Sequence, residues 1–515
     1  MTFRVDTSLS ALPLVCRTQA KPHRALVELS LTTGTAFTSF CEINMPTISS
    51  SPAALIILSG LLLSTSARGE EPLRGLHFGT WGFDISGENA AIKPGDDFFE
   101  FANGGWLAGT RIPADKTGIS IDVLINNRTE AQLRNIMEEA PQHAGHEPKD
   151  LKGKVGAFYR AFMDENRIEA LGSTPIESTL TAIRAATTHE QLGRLMGRSE
   201  FDFEGTFFGI SIDADPKNPT RYAVFLSQGG LGLPDRDYYL QQAFTAQLSK
   251  YQQYIQQLLR LIGWPDAAEN AAAIVAMEKR IAEASWTKAE QRDSNKAYIP
   301  LTVSELKAFA PGFPWKQFLT EARLSSTDNV IVSEKSAFPK IVAIFADTTI
   351  GALQAWLAFT VVDNAAFYLS KPFADTAFEF RNKTLFGQQE QAGRWKRALR
   401  AVGGGDCPEQ CFGTMNWAVG QLYEQRYFLP ETKTKIEVLA ANLKAAFHAR
   451  LEHLDWMSPE TKVEALKKLD TYTIEVGYPN KPRDYSNLVI RDDDLIGDVR
   501  RAAEVDWAFY VGRLQ

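Results

Sequence analysis

The metal and thiol chemistry open to this 515-residue chain rests on seven histidines and four cysteines, and their spacing limits what they can do. A hydrolytic metal site on a helix needs two histidines at i and i+4, a Glu beside the first, and a further ligand later in the chain. His146-Glu147-Pro148-Lys149-Asp150 is the nearest approach. Its fifth position is Asp, and Pro148 opposes the two-turn helix that the pattern requires. The segment reads as a solvated loop. His448 and His453 are spaced so that they fall on different helix faces, as surface and packing residues. His23, His77 and His189 have no partner in the sequence. No catalytic residue and no metal ligand emerges from this inventory.

Thiol and nucleotide chemistry are as sparse. Cys407 and Cys411, with no further cluster, fall short of the four ligands of a structural metal site. A disulfide closing their small Gly-flanked loop is the better expectation. Four cysteines in so long a chain exclude a disulfide-built scaffold. Gly230-Leu231-Gly232 lacks the third glycine and the following helix of a dinucleotide loop. No Gly-x-Ser-x-Gly elbow, Walker loop or Cys-x-x-Cys occurs. A net charge of −7 without a Lys/Arg block argues against a nucleic-acid partner.

The elements that would position any site are mostly helical. The stretch Pro94–Trp106 (PGDDFFEFANGGW) combines a Pro-Gly turn, a capping Asp and anchoring aromatics, so it reads as a corner opening a helix. Thr129 with Gln132 forms a capping-box pattern, followed by an apolar stripe at Leu133, Ile136, Met137 and Ala140. A second stripe runs through Val155, Phe158, Tyr159, Phe162 and Met163. Pro175 and the Thr188/Gln191 pair mark two more helix starts. Residues 205–213 and 220–228 alternate polar and apolar side chains around Asp-Pro-Lys-Asn-Pro, which predicts a β-hairpin, the one clear strand pair. Long helices are expected over 241–262 and 266–286, with further helices over 336–368 and from Arg394 to the glycines at 403–405. The last helix, 495–515, carries Val499, Ala503, Trp507, Tyr510 and Leu514 on one face. Nothing follows to cover that stripe, so it is expected to be exposed. Near the start, Ala53–Leu63 (AALIILSGLLL) has the length of a signal-peptide core and is too short to span a bilayer. Met45–Ser51 supplies no basic residue, so a hydrophobic stretch in a disordered tail is the other reading. Either Met1 or Met45 can be the start.

Several of these segments together resemble the neprilysin/endothelin-converting-enzyme family of zinc metallopeptidases. They are the corner with Ile112-Pro113-Ala114-Asp115, FYRAFMDENRIEALG (158–172), QGGLGLPDRDYYL (228–240), and Trp286 with Glu290, Arg292 and Asp293. LSKPFADTAFEFRNKTLFG (369–387), Trp417–Tyr423, LDWMSPETK (454–462) and IEVGYPNKPRDYS (474–486) continue it. The segment 406–415 departs from the family pattern.

The resemblance implies a mainly α fold: a large helical domain with a minor β-hairpin, plus the start of a thermolysin-like catalytic domain. It divides the chain into a targeting region (1–69), a tie to the catalytic domain (70–95), a helical gating domain (96–486) and the first helix of the catalytic domain (487–515). It further implies an exported, periplasmic or extracellular, endopeptidase of small peptides that uses zinc. The family's zinc helix lies beyond the segment matching Asp494–Gln515. The chain is therefore expected to be an N-terminal portion truncated before the His-Glu-x-x-His motif, inactive alone, with a separately encoded catalytic domain as a possible partner. A non-catalytic peptide-binding module and an inert helical relic are the alternatives. One substrate-pocket residue of the family can be matched, at Asp122. The family's Arg in the same block has no counterpart, and Asp122 reads equally well as a helix cap.

Overall fold

The computed structural model describes residues 2–3, 85–140, 145–405 and 412–514. The signal-like segment 53–63 and both Cys407 and Cys411 lie outside them. Two compact units divide at Thr110/Arg111.

In the N-terminal unit the corner forms as its residues dictate. Asp97 caps α1 (Phe98–Gly109), its Oδ1 accepting the Glu100 amide at 2.9 Å. Asn89 donates to the Glu100 carboxylate at 3.1 Å and so ties the preceding turn to this helix. Phe101 and Trp106 are half-buried, whereas Phe98 and Phe99 stand exposed, so only part of the expected aromatic anchor is seated.

The larger unit is helical with one small sheet. Its first helix, α2 (Ile121–Glu139), begins at Ser120, whose hydroxyl accepts the Val123 amide. It runs unbroken through Thr129, whose hydroxyl bonds back to the Ile125 carbonyl. The capping-box pattern at Thr129 is therefore an interior turn, because Ser120 has already satisfied the helix start. Ile136, Met137 and Ala140 are buried as their spacing requires, and so are Val155, Phe158, Tyr159 and Phe162 on α3 (Leu151–Met163).

The expected hairpin is β1 (Phe208–Asp215) with β2 (Asn218–Gln228), antiparallel. Asp215 holds its turn by accepting the Lys217 and Asn218 amides. Two four-residue strands that the sequence did not announce, β3 (Ile299–Thr302) and β4 (Asn329–Val332), extend it to a sheet of order β1-β2-β4-β3. The β2–β4 pair is parallel.

Against the sheet and each other pack α4 (Thr245–Leu261), α5 (Ala267–Ala284), α6 (Phe338–Asp347) and α7 (Ile350–Ala365). Leu353, Trp356, Leu357, Phe359 and Val361 are all buried, so α7 is apolar around its circumference, as a core helix must be. The span Ile350–Tyr368 is long and apolar enough to cross a membrane, and its burial in this core accounts for that composition. After α7 come α8 (Lys371–Ala377), seven residues of π-helix (Phe378–Thr384) and α9 (Arg394–Gly403). Gly404, at φ +71°, takes a positive-φ conformation that glycine adopts without strain and that stops α9.

The last part of the chain overturns one expectation. α10 (Asn416–Tyr427) leads into α11 (Pro430–Glu452) and α12 (Pro459–Asp470), an antiparallel pair in which no residue is buried. The final helix, α13 (Leu495–Val511), was expected to expose its stripe; instead Val499, Ala503 and Trp507 are buried, and Tyr510 and Leu514 are partly covered. Trp507 donates its indole N–H to the Ala322 carbonyl at 2.8 Å, and Arg500 reaches Asp202 at 2.7 Å. The stripe has a partner, but one more than 180 residues upstream. The exposed apolar face lies on α11 and α12, where Leu439, Leu443, Phe447 and Val463 are each more than half exposed, and on Trp456 between them.

Candidate functional site

The residues that sequence reasoning singled out are scattered. Asp122 sits exposed in the first turn of α2, and the cap is Ser120. Residues 145–149 are non-helical, and Asp150 caps α3. His189 packs edge-on to Phe345, with Nε2 2.8 Å from the Thr348 carbonyl, as a satisfied packing residue. His448 and His453 lie on and at the end of α11.

The fold does bring one histidine to two carboxylates that are distant in sequence. His146 Nδ1 lies 2.6 Å from Asp492, and Nε2 lies 3.7 Å from Asp493. The donor set does not fit a bound metal. Arg160 already pairs with the second Asp492 oxygen at 2.7 Å, and Arg167 lies 3.6 Å from Asp493. The hydrogen bond to Asp492 and the charge of Asp493 raise the imidazole pKa, which favours a cationic ring over a ligand. This is an ion-pair clasp between the start of α3 and the approach to α13.

A concavity with polar and apolar walls lies elsewhere. A cavity of about 390 Å³ opens between the loop Leu231–Pro234, the end of α7 and the π-helical turns. Its polar wall is Asp363, Asn364, Arg381 and Gln391. Arg381 donates from Nε to Asp363 Oδ1 at 3.1 Å, from Nη2 to Oδ2, and from Nη1 to the Gly232 carbonyl. Tyr254 adds a hydrogen bond to Asp363 at 2.5 Å. Burial opposes the Arg381 charge, and Asp363 beside it more than restores it, so the guanidinium pKa is raised. A π-helix widens the helical turn at an energetic cost and recurs where a side chain must be re-aimed. Here it carries Arg381.

Behind the loop, Glu278 of α5 is fully buried and accepts from Tyr239 at 2.7 Å, Tyr251 at 3.1 Å and Trp356 at 3.0 Å. Burial pushes its carboxyl up to about 7 against those three donors. The Tyr239 hydroxyl in turn accepts the Gly232 and Leu233 amides. A Cβ on Gly232 would stand 1.8 Å from the Tyr251 oxygen, which explains the Gly-Leu-Gly pattern. Gly230 supplies a φ of +85°, and Gly232 supplies room. Sequence reasoning discarded this loop as a nucleotide motif and missed its role, because Asp363, Arg381 and Glu278 come from three distant segments.

A second buried acid group lies under α13. Glu204 is 1% exposed and neither of its oxygens accepts a hydrogen bond, although Arg198 Nε lies 3.5 Å away. Burial, then the neighbouring Asp202 charge, pushes its carboxyl up to about 8.

This architecture is similar to that of known proteins. The model of peptidase family M13 matches residues 94–479. Endothelin-converting enzyme-like 1 of Mus musculus is 28% identical over 418 residues, which cover 76% of this chain and 51% of that protein. Endothelin-converting enzyme 1 of Homo sapiens is 24% identical over 441 residues, covering 81% and 54%. The chain thus spans about half the length of the curated relatives it matches. Among solved structures, the inhibitor-bound zinc metalloprotease Zmp1 of Mycobacterium tuberculosis superposes with a TM-score of 0.76 at 31% identity, over 84% of this chain and 64% of that one. PepO of Lactobacillus rhamnosis HN001 shares the fold with a TM-score of 0.70 at 21% identity, over 82% and 66%.

Proposed function

The chain belongs to peptidase family M13, and from that premise we propose that it supplies the helical part, residues 96–486, of an exported, neprilysin-like zinc endopeptidase of small peptides. The observation that carries this reading is the family match across residues 94–479, which takes in most of the larger, helical unit. Peptide hydrolysis in a zinc enzyme needs a metal-activated water and a base. The sequence contains no His-Glu-x-x-His, and its one His/Asp cluster among the described residues is committed to arginines. Among the described residues zinc therefore finds no fitting ligand set, and no chemical step is assigned to them.

The role left to them is holding and admitting peptides. A partner that carries the zinc chemistry would cover the unpartnered α11–α12 face, since contiguous apolar patches of this kind mark interaction surfaces. Asp122 is retained in this reading as a residue facing that peptide space, exposed and already at a helix start. The second reading, a peptide-holding module without hydrolysis of its own, is favoured by the cavity beside Arg381. To test the absence of a zinc seat, the full chain is dialysed against buffer with trace zinc and its metal content measured. Well under one equivalent is expected, and a stoichiometric, chelator-removable zinc would contradict the reading.

A further inference from the structure

Resting on the family reading, we propose that the cavity between the 231–234 loop, α7 and the π-helical turns binds a neutral peptide segment, one bulky apolar residue filling it and the flanking amides meeting Arg381, Asn364 and Gln391.

Size is the first argument. About 390 Å³ lies at the lower end of ligand pockets, room for one aromatic or branched side chain with its adjoining peptide groups. Chemistry is the second. The cavity is faced by Leu233, Phe367, Ala377 and Leu385, which suit an apolar body. At the mouth Phe386 is 48% exposed, a large ring left in water at the edge of an apolar hollow.

Charge is the third argument. Asp363 and Arg381 neutralise one another, so an ionic ligand group finds no net opposite charge and would lose hydration on entry. Hydrogen-bond capacity remains on both sides of that pair. A guanidinium has five N–H donors, and Arg381 uses three, on Asp363 and Gly232. Asn364 gives its amide N–H to the Phe203 carbonyl at 2.9 Å, which leaves its own carbonyl oxygen as an acceptor. A donor beside an acceptor is the complement of a peptide group, which presents one C=O and one N–H. Gln391, also in the lining, carries both a donor and an acceptor.

The pocket is also pre-organised. Gly232 and Leu233 are pinned by Tyr239, and Arg381 is locked over Tyr251 and Tyr254, so little ordering remains for a ligand to cause.

The test uses the full chain and a small neutral probe, N-acetyl-phenylalanine amide, followed by ligand-observed NMR titration. The corresponding alanine, aspartate and lysine amides serve as controls. Saturable binding of the phenylalanine probe is expected, at least tenfold tighter than the charged amides. Phe386→Ala and Gln391→Ala should each weaken it several-fold at unchanged melting temperature, because both side chains are at the rim. Ala377→Phe should abolish it, with circular dichroism reporting whether that variant folds. No saturable binding, a preference for the charged amides, or indifference to both rim variants would overturn the proposal. Probe binding that persists while a mixture with an M13 catalytic partner cleaves no peptide would count against the family-based reading and leave the pocket standing.

Discussion

The bundle around Glu278 and the helical pair α11–α12 are built from similar residues and end in opposite states. In the bundle, α4 and α7 bury Tyr251, Tyr254, Leu258, Trp356 and Leu357, α5 buries Ile274, Met277 and Ile281, and every donor aimed at Glu278 has a partner. In the pair, Leu439, Leu443 and Phe447 form an equally regular i, i+4, i+8 stripe, yet none is buried. Helical amphipathicity therefore shows that a face seeks cover; it does not show whether this chain supplies the cover. The bundle closes on itself, and the pair is left facing outward.

The largest effect should come from breaking the closed region. Glu278→Ala leaves two tyrosine hydroxyls and an indole N–H buried without an acceptor, each costing about 1–3 kcal/mol. A loss on the order of 4 kcal/mol is expected from denaturant unfolding. A loss below about 1 kcal/mol would mean that the network is not the tightly closed element described.

A pH-dependent effect should arise at Glu204. Its carboxyl is raised to about 8 in the folded chain against an unfolded value of 4.5, so the folded state holds the proton more firmly. The stability it confers is fully present below pH 4.5 and is lost as pH rises through about 8. Asp202 raises this carboxyl further, while Arg198 and Arg500 oppose the shift. Glu204→Gln, which mimics the protonated form, should flatten the fall in melting temperature between pH 5 and pH 8. An unaltered slope would show that another group sets it.

The smallest effect should come from the open region. Leu443→Ser with Phe447→Ser removes two exposed side chains, for which changes within about 0.5 kcal/mol are usual. Solubility should rise while unfolding stays put. A substantial destabilisation would show that these residues are covered within the chain after all.

What was legible in the sequence was local. Thr188 caps its helix through the Gln191 amide, Pro175 lies in a first turn, and the Asp215 turn closes the hairpin, because in each case the partners are within a few residues. The family blocks identified the fold class for the same reason. Strands β3 and β4 escaped notice, since four residues give too little alternation and their partner strands lie far away in the sequence. The Thr129 capping pattern misled because Ser120 started the helix first. The stripe of α13 misled because its cover, around Ala322 and Asp202, precedes it by hundreds of residues. The cavity beside Arg381 was invisible for the same reason: Arg381 and Gly232 are 149 residues apart.

The most direct measurement mixes the full chain with a separately expressed catalytic half of an M13 peptidase and follows a quenched peptide, with and without chelator. The account expects no turnover by the chain alone, chelator-sensitive turnover in the mixture above that of the catalytic half by itself, and loss of that gain with Leu443→Ser/Phe447→Ser. Chelator-sensitive cleavage by the purified chain alone would contradict it.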